Sequence, residues 1–166
     1  MKLLLHSFNL ERIPIETSKH SVGRQLIDKF NLESKPGNER LAIQRVEIAI
    51  EGLGIPESKL ARIRTAVGES TMNAMEHGNR YQPDLPVEIS VFTSGESLSI
   101  FVTDQSGDQP IPVLVEPDLE AKLAGLQSPR GWGLFLIKQM VDEMHVTTDE
   151  THHSVELIFK LRGDEA

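Results

Sequence analysis

At 166 residues the chain has room for one compact domain with a full core and little room for a second, so one functional site is expected. A formal charge of −8 argues against a nucleic-acid partner, since that binding relies on Lys and Arg neutralising phosphates, and favours protein or small-molecule partners. The lack of cysteine excludes a disulfide framework, a thiolate metal site and a cysteine nucleophile. No apolar run approaches the roughly 18 residues of a spanning helix, and His6, Asn9 and Glu11 cut short the apolar opening before it makes a signal-peptide core. No membrane contact and a cytoplasmic location are therefore expected.

In chain order, residues 2–8 read as a short first strand and residues 22–30 as a short helix. The loop Glu33-Ser34-Lys35-Pro36-Gly37-Asn38 is a clear break. Beyond it, Leu41, Val46, Ile48, Ala49 and Leu53 fall near helical spacing, and Gly52, Gly54 and Pro56 end that helix. A stronger helix follows over residues 57–77, with Leu60, Ile63, Val67, Ser70 and Ala74 as its apolar or small stripe and Gly78 as its stop. Residues 87–92 and 98–103 read as an antiparallel hairpin turning at Thr93-Ser94-Gly95-Glu96. Residues 105–130 carry four prolines, and loops of that length in a compact domain are functional lids or disordered segments. A short helix is expected inside it at 118–126. The chain closes with a helix over 133–144 and strands over 145–149 and 155–161. This succession predicts an α+β two-layer sandwich, helices on one face of a mixed, mainly antiparallel sheet, with residues 1–166 as a single domain and 1–40 as an N-terminal extension.

Three stretches carry chemistry. In Glu69-Ser70-Thr71-Met72-Asn73-Ala74-Met75-Glu76-His77-Gly78-Asn79, residues Glu69, Asn73 and His77 are four apart and share a helix face, which is either a solvated polar face or a site. His77 reads as structural, imidazole being a poor Mg²⁺ ligand. In Ser128-Pro129-Arg130-Gly131-Trp132-Gly133-Leu134, two glycines open an apolar helix. That is either an ordinary helix start or a place where first-turn N–H groups meet an anion, with Arg130 as an added cation. No Gly-Lys-Ser/Thr follows, so it is not a P-loop. In Val102-Thr103-Asp104-Gln105-Ser106-Gly107, Asp104 ends an apolar strand and either enters a turn or accepts a hydrogen bond from an exocyclic amine. His152 and His153, adjacent on a strand, point to opposite faces and do not join His145 as a metal cluster.

The order and spacing of these stretches resemble the three nucleotide-binding boxes of the GHKL (Bergerat-fold) ATPases, and are most similar to the anti-sigma-factor serine kinases. Their first box, Glu-x-x-x-Asn-Ala-x-x-His-Gly, is matched by Glu69, Asn73, Ala74, His77 and Gly78, and the Gly-Leu-Phe-Leu-Ile run and Met140-Val141-Asp142-Glu143-Met144 are similar too. The resemblance spans residues 41–161. In the second box Ser106 stands where the first glycine is expected and Gly107 is displaced by one; in the last strand His152-His153-Ser154 replaces Gly-Thr, so that Ser154 is expected to supply the hydroxyl. The resemblance implies ATP and Mg²⁺ as cofactors, with Asn73 as the metal ligand and Glu69 as general base for an incoming serine hydroxyl. It assigns Asp104 to the adenine amine with Gly107 beside the base, and Arg130, Gly131, Gly133 and Leu134 to the phosphates. The implied activity is that of a Mg-ATP-dependent protein serine kinase and anti-sigma factor. Its implied partners are an anti-anti-sigma (STAS-type) protein and a sigma factor, and homodimers are common in the family. The alternatives are an ATP-gated module that sequesters a regulatory protein without phosphoryl transfer, and a regulatory domain of a phosphatase or sensor pathway. Glu69 separates the kinase from the sequestering module, because binding needs no base.

Overall fold

The structure, a computed structural model, describes residues 23–107, 118–124 and 132–163. The strand expected at 2–8 lies outside them, as does most of the long proline-bearing segment. The described chain opens with β1 (Gln25–Leu32), where a helix over 22–30 was expected. The apparent helical spacing of Leu26, Ile27 and Phe30 arises from a register shift between Leu26 and Asp28, which breaks the alternation a regular strand would show.

Helix α1 (Glu39–Ile50) runs into a 3-10 turn (Glu51–Leu53), and Gly54 at φ 64° takes the left-handed position that ends it. Pro56, extended at ψ 148°, then leads into α2 (Glu57–Asn73). The hairpin is β2 (Val87–Thr93) and β3 (Ser97–Asp104), turning at Gly95 with φ 83°. A five-residue α3 (Leu119–Leu123) falls inside the expected 118–126 helix. Helix α4 (Trp132–Met140) stops four residues before the expected 144, and β4 (Glu143–Thr148) and β5 (His153–Lys160) complete the sheet.

The strand order is β1-β2-β3-β5-β4, and all four pairings are antiparallel, so the mixed component of the expected sheet is not found among the described residues. Val87, Ile89 and Val91 alternate on β2 with Leu98, Ile100 and Val102 on β3 and Val155, Leu157 and Phe159 on β5. This one face packs against Val46 and Ile50 of α1, Ile63, Ala66 and Val67 of α2, and Ile137 of α4. The α+β sandwich is therefore built as the periodicities required.

Two cations of α2 lock it in place. Lys59, 8% exposed, donates from Nζ to the carbonyl of Lys160 at the end of β5. Arg62 donates from Nε to the Met140 carbonyl at 2.8 Å, and its Nη2 lies 3.4 Å from Oδ1 of Asp142, whose Oδ2 accepts the Lys160 N–H at 2.6 Å. The Arg62 bond satisfies the carbonyl of Met140, the last residue of α4.

Candidate nucleotide site

The end of α2 is not a plain helix terminus. After Asn73 the backbone widens into one π turn, Ala74–Gly78, closed by the Asn79 N–H bonding the Ala74 carbonyl at 2.8 Å. The wider turn takes His77 out of line with Glu69 and Asn73: His77 is exposed, whereas the other two are half-buried. Beyond it Arg80 and Tyr81 both sit at φ 52°, the left-handed non-glycine residues among those described. Such backbone persists where neighbours over-determine it.

Asn79 is the main such neighbour. It is 1% exposed, its Nδ2 donates to Ser34 Oγ (3.0 Å) and to the Leu85 carbonyl (2.8 Å), and its Oδ1 accepts the Gln105 N–H at 2.8 Å. One buried amide thus pins the π turn to the residue after Asp104. Asn79 is the last residue of the stretch that runs from Glu69, and nothing in the sequence gives it a role of its own.

The π turn brings Gly78 against Asp104 so closely that a Cβ at position 78 would lie 2.3 Å from Cγ of Asp104 and 2.4 Å from its Oδ2. Only glycine permits that approach. Asp104 is 3% exposed. Its Oδ1 accepts the Ser106 N–H at 2.9 Å and the Ser106 hydroxyl, and its Oδ2 lies 3.2 Å from His153 Nδ1. Ser106, at the position of an expected glycine, thus spends its hydroxyl on the carboxylate.

The pairing of Asp104 with His153 and of Thr103 with Ser154 settles which residue of β5 faces the site. Ser154, expected to supply a hydroxyl here, is on the opposite face of the sheet, bonded to Thr103 Oγ1 at 2.8 Å. His153, opposite Asp104 in the register, faces the site instead.

A second close approach joins α2 to α4. A Cβ at Gly133 would lie 3.0 Å from Nδ2 and 3.1 Å from Oδ1 of Asn73. Both amide atoms of Asn73 are otherwise without a hydrogen-bond partner among the described residues. Leu134 is partly buried against the core. Arg130 and Gly131 lie outside the described residues, and of Trp132 the backbone opens α4. Gly107 makes its close approach elsewhere: a Cβ there would lie 2.2 Å from the Thr151 amide nitrogen, so it packs on the turn between β4 and β5. That turn is held by Asp149, which accepts the N–H groups of Thr151 and His152 at 2.8 Å each, and these bonds hold its carboxyl below the usual range.

Glu69 stands one turn before Asn73 on α2, with no hydrogen-bond or ion-pair partner among the described residues. Burial pushes its carboxyl above the usual carboxylate range. No group of three His, Cys, Asp or Glu is arranged to hold a metal among the described residues, and no described helix is long and apolar enough to cross a membrane. The donor set nonetheless fits a nucleotide and a hard cation. A carboxylate accepts about four hydrogen bonds, and Asp104 spends three, two on Ser106 and one on His153, leaving one for an exocyclic amine. Asn73 offers an amide oxygen, a ligand type Mg²⁺ takes.

The chain is similar to known proteins in sequence and in fold. Residues 32–159 match the family described as "Histidine kinase-like ATPase domain". Two anti-sigma F factors of Clostridium botulinum, from strains Eklund 17B / Type B and Alaska E43 / Type E3, are each 32% identical to this chain over 93 residues, 54% of this chain and 65% of theirs. The chain thus spans just under two thirds of the length of these curated relatives. The solved structure of the RsbU and RsbW domains of Rv1364c from Mycobacterium tuberculosis is similar in fold, with a TM-score of 0.57 at 17% identity over 82% of this chain and 33% of that one. The family match reaches from the last residue of β1 into β5 and encloses Asn73, Asp104 and Gly133, and this chain accordingly belongs to the histidine kinase-like ATPase family.

Proposed function

We propose that the chain binds Mg²⁺-ATP where α2, β3 and α4 meet. It then transfers the γ-phosphoryl group to a serine of a small anti-anti-sigma (STAS-type) protein, and it also holds a sigma factor. The observation that carries this reading is the pair of glycine contacts, Gly78 on Asp104 and Gly133 on Asn73, which unite three stretches far apart in sequence. The anti-sigma F factors among its relatives support the partner class.

Each residue has a part. Asp104 takes the N–H of the adenine amine on its remaining acceptor site and disfavours guanine, which presents a carbonyl there. Asn73 directs its amide oxygen at the cation, and Gly133 lets the start of α4 come close, with Arg130 and Gly131 expected to complete the phosphate cradle. Mg²⁺ supplies charge neutralisation on the phosphate oxygens. Glu69, half-buried and with its carboxyl pushed up, accepts the proton of the serine hydroxyl as that oxygen attacks.

The test is incubation with γ-labelled ATP and STAS-type domains from the same genome. Label should appear on a partner serine in the presence of Mg²⁺ and fall sharply in Glu69→Gln, with partner binding retained. A wild-type chain that labels no partner, yet binds one only with ATP, would establish the sequestering module instead.

A further inference from the structure

Asp104 is a buried carboxylate whose direction depends on its neighbours, and His153 is one of them. We propose that His153 is the positioning residue that aims the Asp104 carboxylate, and thereby sets selectivity for a 6-amino purine over a 6-oxo purine. This rests on the nucleotide reading above.

Carboxylate chemistry assigns the role of Nδ1. An ionised carboxylate only accepts, so the 3.2 Å contact makes Nδ1 the donor and Asp104 Oδ2 the acceptor. The remaining ring nitrogen, Nε2, is buried with no partner among the described residues, so within them the ring is held through Nδ1 and by packing. The histidine side chain is 15% exposed and the carboxylate 4%. Ser106 engages only Oδ1. The rotation of the carboxylate about its last bond is therefore set by His153 on one oxygen and Ser106 on the other, with Gly78 closing off Oδ2 from the helix side. Without the Nδ1 donor, Oδ2 gains a second free acceptor site and the group keeps only the Ser106 bonds and the Gly78 contact to set its direction. It then meets the N–H groups of a guanine as readily as the amine of an adenine.

Full-length wild type, His153→Phe and His153→Asn are compared by calorimetric titration with Mg-ATP and Mg-GTP. Phe keeps the ring and removes the donor, whereas the Asn amide nitrogen reaches about the position of Nδ1. The wild type should prefer ATP, His153→Phe should lose about tenfold or more of that ratio, as expected for a hydrogen bond to a charged group, and His153→Asn should restore most of it. A purely structural role would lower both affinities and leave the ratio intact. Proton NMR of the nucleotide-free chain should also show a protected imidazole Nδ1–H that disappears in Asp104→Asn, a readout that stands even where His153→Phe does not fold. A wild type that prefers ATP while His153→Phe keeps the same ratio overturns the role of His153 and leaves the ATP site standing, as does absence of the protected proton. A wild type that binds neither nucleotide overturns the site itself, and this role with it.

Discussion

Replacing Gly78 by alanine adds one carbon atom at the tightest point of the site. The new Cβ would stand 2.3 Å from Cγ, 2.4 Å from Oδ2 and 2.8 Å from Cβ of Asp104. Carbon atoms rest about 3.5–4.0 Å apart, so the two groups must separate by roughly 1 Å. Neither has room to retreat: Asp104 is 3% exposed and tied to Ser106 and His153, and the π turn is tied to Ser34, Leu85 and Gln105 through Asn79. Overpacking costs about 1–3 kcal/mol, and breaking one hydrogen bond to the carboxylate adds about 1.5–3, so Gly78→Ala should lose about 2.5–6 kcal/mol. At about 2–4 °C per kcal/mol for a chain of this size, the midpoint should fall by about 5–24 °C. Urea unfolding of Gly78→Ala, Asp104→Gly and the double variant provides the assay. Asp104→Gly removes all three clashing atoms, so the double variant should lose less than the sum of the single losses. Strict additivity, or a Gly78→Ala within about 0.5 kcal/mol of wild type, would refute the contact.

Glu69→Gln should leave Mg-ATP affinity near wild type and slow phosphoryl transfer by about a hundred- to ten-thousand-fold, read in a labelling time course. The wild-type rate should fall as pH drops through a value above the ordinary carboxylate range, because burial raises the Glu69 carboxyl, and the Gln variant should lack that acid limb. The stability effect has the opposite sense. The folded chain holds the Glu69 proton to higher pH than the unfolded chain, so wild-type stability declines as pH rises between the two values. Glu69→Gln should match the wild type at low pH and be at least as stable at neutral pH, in denaturant titrations at both. Arg62→Ala removes the bonds to Met140 and Asp142 that hold the end of α4 and should cost about 1–3 kcal/mol. Mg-ATP affinity should fall with it, since α4 also presents Gly133 to Asn73, and calorimetry beside urea unfolding would separate the two effects.

The helices and the central hairpin were legible in the sequence because each buries one regular stripe: 57–77 anticipated α2, though not the π turn that ends it, and alternating Val87, Ile89 and Val91 anticipated β2. Strand β1 was misread because its register shift at Leu26 and Asp28 erases the period of two, leaving a spacing that imitates a helix. The helix expected to run to 144 ends at Met140, whose carbonyl accepts a long-range bond from Arg62 that no local signal announces. The site shows the same division. Asn73, Asp104 and Gly133 were legible as residue types in order, and the structure places Asn73 beside Gly133 and Asp104 beside Gly78. His153 and Asn79 were not, because their roles come from partners 49 and 45 residues away. Gly107 shows the converse: a glycine expected beside the base has its close contact with the β4–β5 turn.

The central claim is that Asn73, Gly133, Gly78 and Asp104 form one Mg²⁺-ATP site. Isothermal titration of the full chain with ATP, with Mg²⁺, with EDTA, and in Asn73→Ala, tests it most directly. The account predicts one nucleotide per chain, bound tightly only with Mg²⁺ and weakened at least tenfold by Asn73→Ala, a loss of at least about 1.4 kcal/mol. Binding that is unchanged by EDTA and by Asn73→Ala, or no binding by the wild type, would contradict it.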